Sequence, residues 1–212
     1  MTSAIQFNSP LYVGYEEFGP PATTTVVRTG SLTGAASVHY DASAVMADRS
    51  EYFFAPGDLH FADGEASKRF TIAIKDERIS EGDETFNLIL SNPTGAALGA
   101  QSTTTILIPA SDGTPVFAIG EVSVVVEGNS GTVDAVFTVR LSNPSAFTVT
   151  LDYETEDDAA VADDDYVGTS GRLTFSPGET EKTITVRVNG DTLEETHETF
   201  LVKLKNQTLS KT

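Results

Sequence analysis

Carboxylates are the side chains in this sequence whose type and spacing could do chemistry. Asp157-Asp158, Asp163-Asp164-Asp165, Asp191 and Glu194-Glu195 crowd one stretch, and Asp and Glu outnumber Lys and Arg by 31 to 13 overall. Two carboxylates about 5 Å apart repel by roughly 3 kcal/mol at an effective dielectric near 20. A rim of several must splay apart, take up protons or hold a cation. Hard oxygen donors on loops suit Ca2+, which takes about six to eight oxygens, better than Zn2+ or Cu2+, which favour imidazole and thiolate. His39, His60 and His197 stand far apart with no cysteine to join them, so a zinc site is not expected. Glycoside hydrolysis needs only two carboxyl groups, but few aromatic side chains share these loops to hold a sugar. No enzyme activity is expected.

The elements that must position these acids read as strands. Val133, Ala135, Phe137, Val139 and Leu141 alternate with polar residues at period two. The pattern returns in Phe147-Val149-Leu151-Tyr153, Leu173-Phe175, Ile184-Val186-Val188 and Phe200-Val202-Leu204. Turn residues such as Ser142-Asn143-Pro144 and Ser176-Pro177-Gly178 separate them. Each strand crosses from one pole of a sandwich to the other, so consecutive turns alternate between poles. The turns after the second and fourth strands are nearly neutral. Those after the first, third and fifth hold Glu127, the run from Asp157 to Asp165, and Asp191 with Glu194-Glu195. Three loops therefore bring carboxylates to one pole.

The chain contains that arrangement twice. Tyr52 to Thr94 reappears without a gap as Tyr166 to Thr208, with 15 of 43 positions identical. The repeating unit is about 110 residues, so 212 residues divide into two domains, 1–112 and 113–212, meeting near Ala110-Ser111-Asp112-Gly113. Short strands with turns every 8–12 residues or so predict an all-β fold of two tandem immunoglobulin-like sandwiches, each of about seven antiparallel strands. A formal net charge of −18 opposes binding to nucleic acid or to anionic membranes. No apolar run is long enough to insert into a bilayer. With no cysteine, disulfides and thiol chemistry are excluded.

Linked motifs carry a family resemblance. Gly171-Arg172-Leu173-Thr174-Phe175-Ser176-Pro177-Gly178-Glu179-Thr180, then Lys182-Thr183-Ile184-Thr185-Val186, then Asp191 through Glu195 to Glu198-Thr199-Phe200, resembles the Calx-β family. Leu90-Ser91-Asn92-Pro93-Thr94-Gly95-Ala96 and Leu98-Gly99 in the first copy are similar to it as well. The resemblance implies a seven-stranded sandwich that in some members binds Ca2+. It also implies the ligands: an acid ending the first strand, an Asp before a Tyr, an acidic pair after the fifth strand, a following Glu, and an acidic run after the last strand. Copy two offers Glu127, Asp165 with its neighbour Asp164 before Tyr166, Asp191 and Glu195, but has Gly190 where the first acid of the pair is expected. Copy one offers Glu16, Glu51 before Tyr52, Asp76, Glu77 and Glu81, while Ile108-Pro109-Ala110-Ser111-Asp112 replaces most of the terminal acidic run.

One departure bears on partners. Copy one continues into Thr103-Thr104-Thr105-Ile106-Leu107-Ile108, its seventh strand, whereas copy two reaches Thr212 with no such segment. The expectation is a second sandwich without its last strand and with an open edge. The chain is then a fragment of a longer array, or another chain donates the strand, or six strands suffice. The function expected is a Ca2+-binding structural or adhesive module of a secreted or cell-surface protein, with protein partners or copies of itself, and with filament formation by strand complementation as a variant. The alternative is a regulatory Ca2+ sensor pair of a sodium–calcium exchanger-like membrane protein.

Overall fold

The computed structural model describes residues 2–16, 19–47, 49–120, 125–194 and 196–210, which contain strands and turns and no helix. The chain forms two compact units, one of residues 1–77 with 82–111 and the other of residues 78–81 with 112–212.

Unit 1 begins with β1 (Ala4–Phe7), β2 (Leu11–Val13), β3 (Ala22–Thr29) and β4 (Ala36–Ala44). It continues with β5 (Tyr52–Phe53), β6 (Gly57–Phe61) and β7 (Ser67–Ile74). It ends with β8 (Glu84–Thr94), β9 (Ala97–Leu98) and β10 (Thr103–Ile108). One sheet has the order β5-β7-β3-β1-β9 and the other β2-β10-β8-β4-β6. The first strand is thus divided: its halves β1 and β2 join different sheets, and they pair in parallel with β9 and β10. The period-two alternation places Ile5, Phe7, Val26, Val38, Ile72, Phe86, Leu88, Ile106 and Ile108 in the core.

Unit 2 contains β11 (Phe117–Ile119), β12 (Thr132–Leu141) and β13 (Thr148–Asp157). It is completed by β14 (Ser170–Phe175), β15 (Glu181–Asn189) and β16 (Phe200–Ser210). Its sheets are β11-β12-β15 and β14-β13-β16, over a core of Val139, Val149, Leu151, Tyr166, Phe175, Ile184 and Val186.

The positions identical between the copies have physical reasons. Tyr52 stacks on Phe86 with ring centroids 3.9 Å apart, and Tyr166 on Phe200 at 4.4 Å. The first pair ties β5 to β8 and the second ties the segment before β14 to β16, and such ring pairs add about 0.5–1.5 kcal/mol beyond their buried area. Gly57 and Gly171 pack under Tyr40 and Tyr153; a Cβ there would lie 2.9 and 2.8 Å from the phenol oxygens. Glu65 accepts from the Ala62 amide and pairs with Lys68 at 2.7 Å. Glu179 repeats this with the Ser176 amide and Lys182 at 2.6 Å. Asn92 and Asn206 both adopt a left-handed backbone, φ 48° and 55°, where the ladders of β4 with β8 and of β13 with β16 slip register. Asparagine tolerates that conformation better than most residues.

Candidate metal centre

In unit 2 the carboxylates meet where β13 ends, β15 ends and β16 begins. Asp157 closes β13. Its Oδ1 accepts from the Tyr166 hydroxyl at 2.6 Å and from the Ala162 amide at 2.9 Å. These bonds, the one from Tyr166 foremost, hold the Asp157 carboxyl below its ordinary range. Asp158 accepts from the Thr199 hydroxyl at 2.6 Å. The following loop is folded tightly: the Asp165 amide donates to the Val161 carbonyl at 2.9 Å, and Asp165 Oδ2 accepts from the Val161 amide at 2.6 Å. Asn189, the last residue of β15, donates its backbone amide to Asp165 at 2.8 Å and its side-chain amide to the Asp164 carbonyl at 2.9 Å. That clamp fixes the Asp163–Asp165 run against the exit of β15, where Asp191 accepts from the Leu193 amide at 2.7 Å.

The resulting depression is lined by Asp163, Asp164, Asp165, Asp191 and Glu198, together with Val161 and Leu193. Glu198 registers the field there. Desolvation among these neighbours, then the charge and hydrogen bond of Asp165, then the charge of Glu127, push its carboxyl above the ordinary glutamate range, although the side chain is open to water. Of the acids expected from sequence, Asp164, Asp165 and Asp191 are brought together, and Glu127 acts on the same group; Glu195 lies outside the described residues. Asp163 belongs to the acidic run that the sequence places at this pole but not to the ligands the resemblance implies, and Glu198 belongs to neither. Glu198 sits in the repeated Glu-Thr-Phe, which reads as the start of a strand, and its place directly after the acidic loop was the available signal.

Gly190 has a steric explanation. A Cβ there would lie 2.5 Å from the Glu127 carbonyl oxygen and 2.8 Å from that of Gly128. The backbone of the first loop occupies the space that a side chain would need.

In unit 1 Glu51 is only 9% exposed, and its Oε2 has no hydrogen-bond partner among the described residues. Its carbonyl accepts from the Lys75 amide at 2.8 Å, which sets it beside the end of β7, where Asp76 and Glu77 follow. A buried carboxylate oxygen without a donor is costly, and a hard cation is one group that satisfies it. Lys75 is engaged elsewhere: its ammonium bonds the Ser50 carbonyl and lies 4.8 Å over the Phe53 ring. Glu16 accepts from the Ser111 hydroxyl at 2.7 Å. Glu81 belongs to the short segment grouped with unit 2. Among the described residues, no three carboxylate or imidazole groups are placed closely enough to share one ion. His39 pairs with Asp58 at 2.8 Å.

Two immunoglobulin-like sandwiches in tandem, one with carboxylates from several loops gathered at a pole, define a class of small repeated β modules. The chain belongs to the Calx-beta domain family, whose profile matches residues 2–112 and again 110–212. It is 31% identical over 222 residues to sodium/calcium exchanger 1 of Bos taurus, covering 95% of this chain and 23% of the exchanger. It is 32% identical over 210 residues to adhesion G-protein coupled receptor V1 of Danio rerio, covering 93% of this chain and 3% of the receptor. Among solved structures, the calcium binding domain CBD12 of CALX1.1 superposes with a TM-score of 0.50 at 27% identity, covering 97% of this chain and 80% of that one. The chain spans less than a quarter of the length of these curated relatives.

Proposed function

We propose that this chain is a non-catalytic pair of Calx-beta domains, 1–112 and 113–212, that binds Ca2+ and serves as a structural or adhesive element of a larger secreted or cell-surface protein. The observation that carries the reading is the gathering of Asp163, Asp164, Asp165, Asp191 and Glu198 around one depression, where Asp165 and Glu127 add to the desolvation that raises the Glu198 carboxyl. A divalent cation relieves the same repulsion that a proton relieves there. Asp164, Asp165, Asp191, Glu198 and Glu127 are the residues of unit 2 that would hold the ion, their loops closing on it. Glu51 is the anchor in unit 1, with Asp76, Glu77 and Glu16 as its further ligands. The likeness to a receptor of the adhesion class supports a surface setting. The likeness to sodium/calcium exchanger 1 favours a second reading, a regulatory Ca2+ sensor. Gly190, with its side-chain space filled by backbone, leaves Asp191 alone where a tuned sensor would hold a pair, and this weighs toward the structural role.

The test is calorimetric melting with added Ca2+ against Mg2+ at equal ionic strength. Saturating Ca2+ is expected to raise the midpoint, and Asp165→Asn or Glu198→Gln to cut the rise attributable to unit 2. An unchanged midpoint at about 5 mM Ca2+, above the range of extracellular modules, sinks the reading.

A further inference from the structure

Two of the histidines, remote in sequence, become neighbours in unit 1. The antiparallel register of β4 with β6 sets Ser37 opposite His60 and His39 opposite Asp58. The alternate residues Ala36, Val38 and Phe61 are buried in the core, so pleating turns Ser37, His39, Asp58 and His60 to the outer face. His39 and His60 are diagonal neighbours on that face. Residues so related lie about 7–8 Å apart, within reach of one another's aromatic side chains. His60 is exposed and His39 half-buried, so both rings meet water.

One of the two rings is already oriented. His39 Nδ1 lies 2.8 Å from Asp58 Oδ1. An ionised carboxylate only accepts, so Nδ1 carries the hydrogen, and in the neutral ring Nε2 keeps its lone pair. A carboxylate behind the imidazole is the support that metal-binding histidines use. Unit 2 treats the same sheet positions differently. Asp152 and Arg172 stand opposite one another in β13 and β14 and form an ion pair at 2.7 Å, and Thr174 stands opposite Thr150 where unit 1 has His60 opposite Ser37. The fold therefore requires a histidine at neither position. A plain cross-strand ion pair accounts for His39 with Asp58, but it leaves His60 without a use.

We propose that His39 and His60 together hold a divalent transition-metal ion that favours imidazole, Zn2+ or Cu2+, on the outer face of β4 and β6. Asp58 positions the His39 ring and adds negative charge beside the ion. Imidazole suits these ions, whereas the carboxylate pole suits Ca2+, so the inference does not rest on Ca2+ binding. Two protein nitrogens are fewer than a closed zinc site uses. Water completes the coordination and leaves the ion open to a further ligand.

The test is titration of Cu2+ and Zn2+ into the full chain with Ca2+ at about 5 mM to occupy the carboxylates. Bound Cu2+ is expected to give an electron spin resonance spectrum with two imidazole nitrogens, and Zn2+ to bind more weakly than Cu2+. His39→Gln and His60→Gln are each expected to weaken Cu2+ about tenfold or more and to leave a single nitrogen in the spectrum. Asp58→Asn is expected to weaken it about tenfold with both nitrogens kept. Zn2+ is expected to slow amide exchange along the β4–β6 ladder and not along β13–β14, which has no histidine there. A wild-type spectrum with one nitrogen or none, or unchanged affinity in His60→Gln, overturns the proposal and leaves His39 as the ion-pair partner of Asp58 alone.

Discussion

The backbone of Glu127 sits against the Cα of Gly190 so closely that a Cβ would approach the Glu127 carbonyl oxygen to 2.5 Å. The contact joins the first acidic loop to the exit of β15, and the Gly190 amide is spent nearby on the Gly131 carbonyl at 2.9 Å. Restoring the acid that the family pattern expects should therefore fail. Gly190→Asp is expected to destabilise unit 2 by about 1–3 kcal/mol through overpacking without tightening Ca2+. Gly190→Ala, which adds bulk and no charge, should lose most of the same stability. Urea midpoints with and without Ca2+ check both, and a stable Gly190→Asp protein with higher affinity would refute the steric account.

Two carboxyls at this pole give opposite pH responses. Asp157 is held below its ordinary value of 3.8, chiefly by the Tyr166 hydroxyl and then by the Ala162 amide. Its contribution is complete above that value and is lost as pH falls toward the lower folded one. Glu198 is raised above its ordinary 4.5 by desolvation, Asp165 and Glu127. Its contribution is complete below 4.5 and is lost as pH rises through the folded value, so at neutral pH the ionised group weakens the fold. Glu198→Gln is expected to raise the urea midpoint of unit 2 at neutral pH and to flatten its dependence just above the ordinary glutamate range. Tyr166→Phe is expected to shift the acid limb of the profile upward in pH. A Glu198→Gln midpoint below wild type at neutral pH, without Ca2+, would contradict the assignment.

The strands were legible because period-two alternation is a direct consequence of pleating, and the copies reinforced one another: Leu59 with Leu173, Phe61 with Phe175, Phe86 with Phe200. The division of the first strand was not legible. It depends on β1 pairing with β9 and β2 with β10, contacts about 90 residues apart in sequence that no local pattern encodes. At the site, the convergence of loops followed from counting turns, which is why Asp164, Asp165 and Asp191 meet as acids from separate loops. Glu198 escaped because its neighbours Thr199 and Phe200 carry a strand pattern that hides the polarity of its position. The reason for Gly190 escaped because a backbone-to-backbone approach leaves no mark in composition.

The Glu65–Lys68 and Glu179–Lys182 pairs mark a turn present in both units. Both carboxyls lie below the ordinary glutamate range, through the lysine first and a backbone amide second. Surface ion pairs of this kind contribute little, so Lys68→Ala and Lys182→Ala are expected to move the denaturation midpoint very little. Glu65→Gln keeps an acceptor for the Ala62 amide and should be milder than Glu65→Ala. Equal losses for the two Glu65 variants would show that the amide bond is immaterial.

Phe86 and Phe200 allow a comparison within one molecule, since sequence, fold position and stacking partner are all matched. Phe86 is fully buried beneath β10, while Phe200 keeps part of its surface in water with no described strand over it. Truncating a buried Phe costs about 3–5 kcal/mol, because transfer energy and an unfilled cavity add together. At a partly open site both terms shrink, since less surface leaves water and solvent can enter the space. Phe86→Ala is expected to lower the stability of unit 1 by an amount in that range, and Phe200→Ala to lower that of unit 2 by about 1–2 kcal/mol less. Hydrogen exchange under native conditions reads the two units separately. Equal losses in the two units would mean that β10 contributes little to the cover of Phe86.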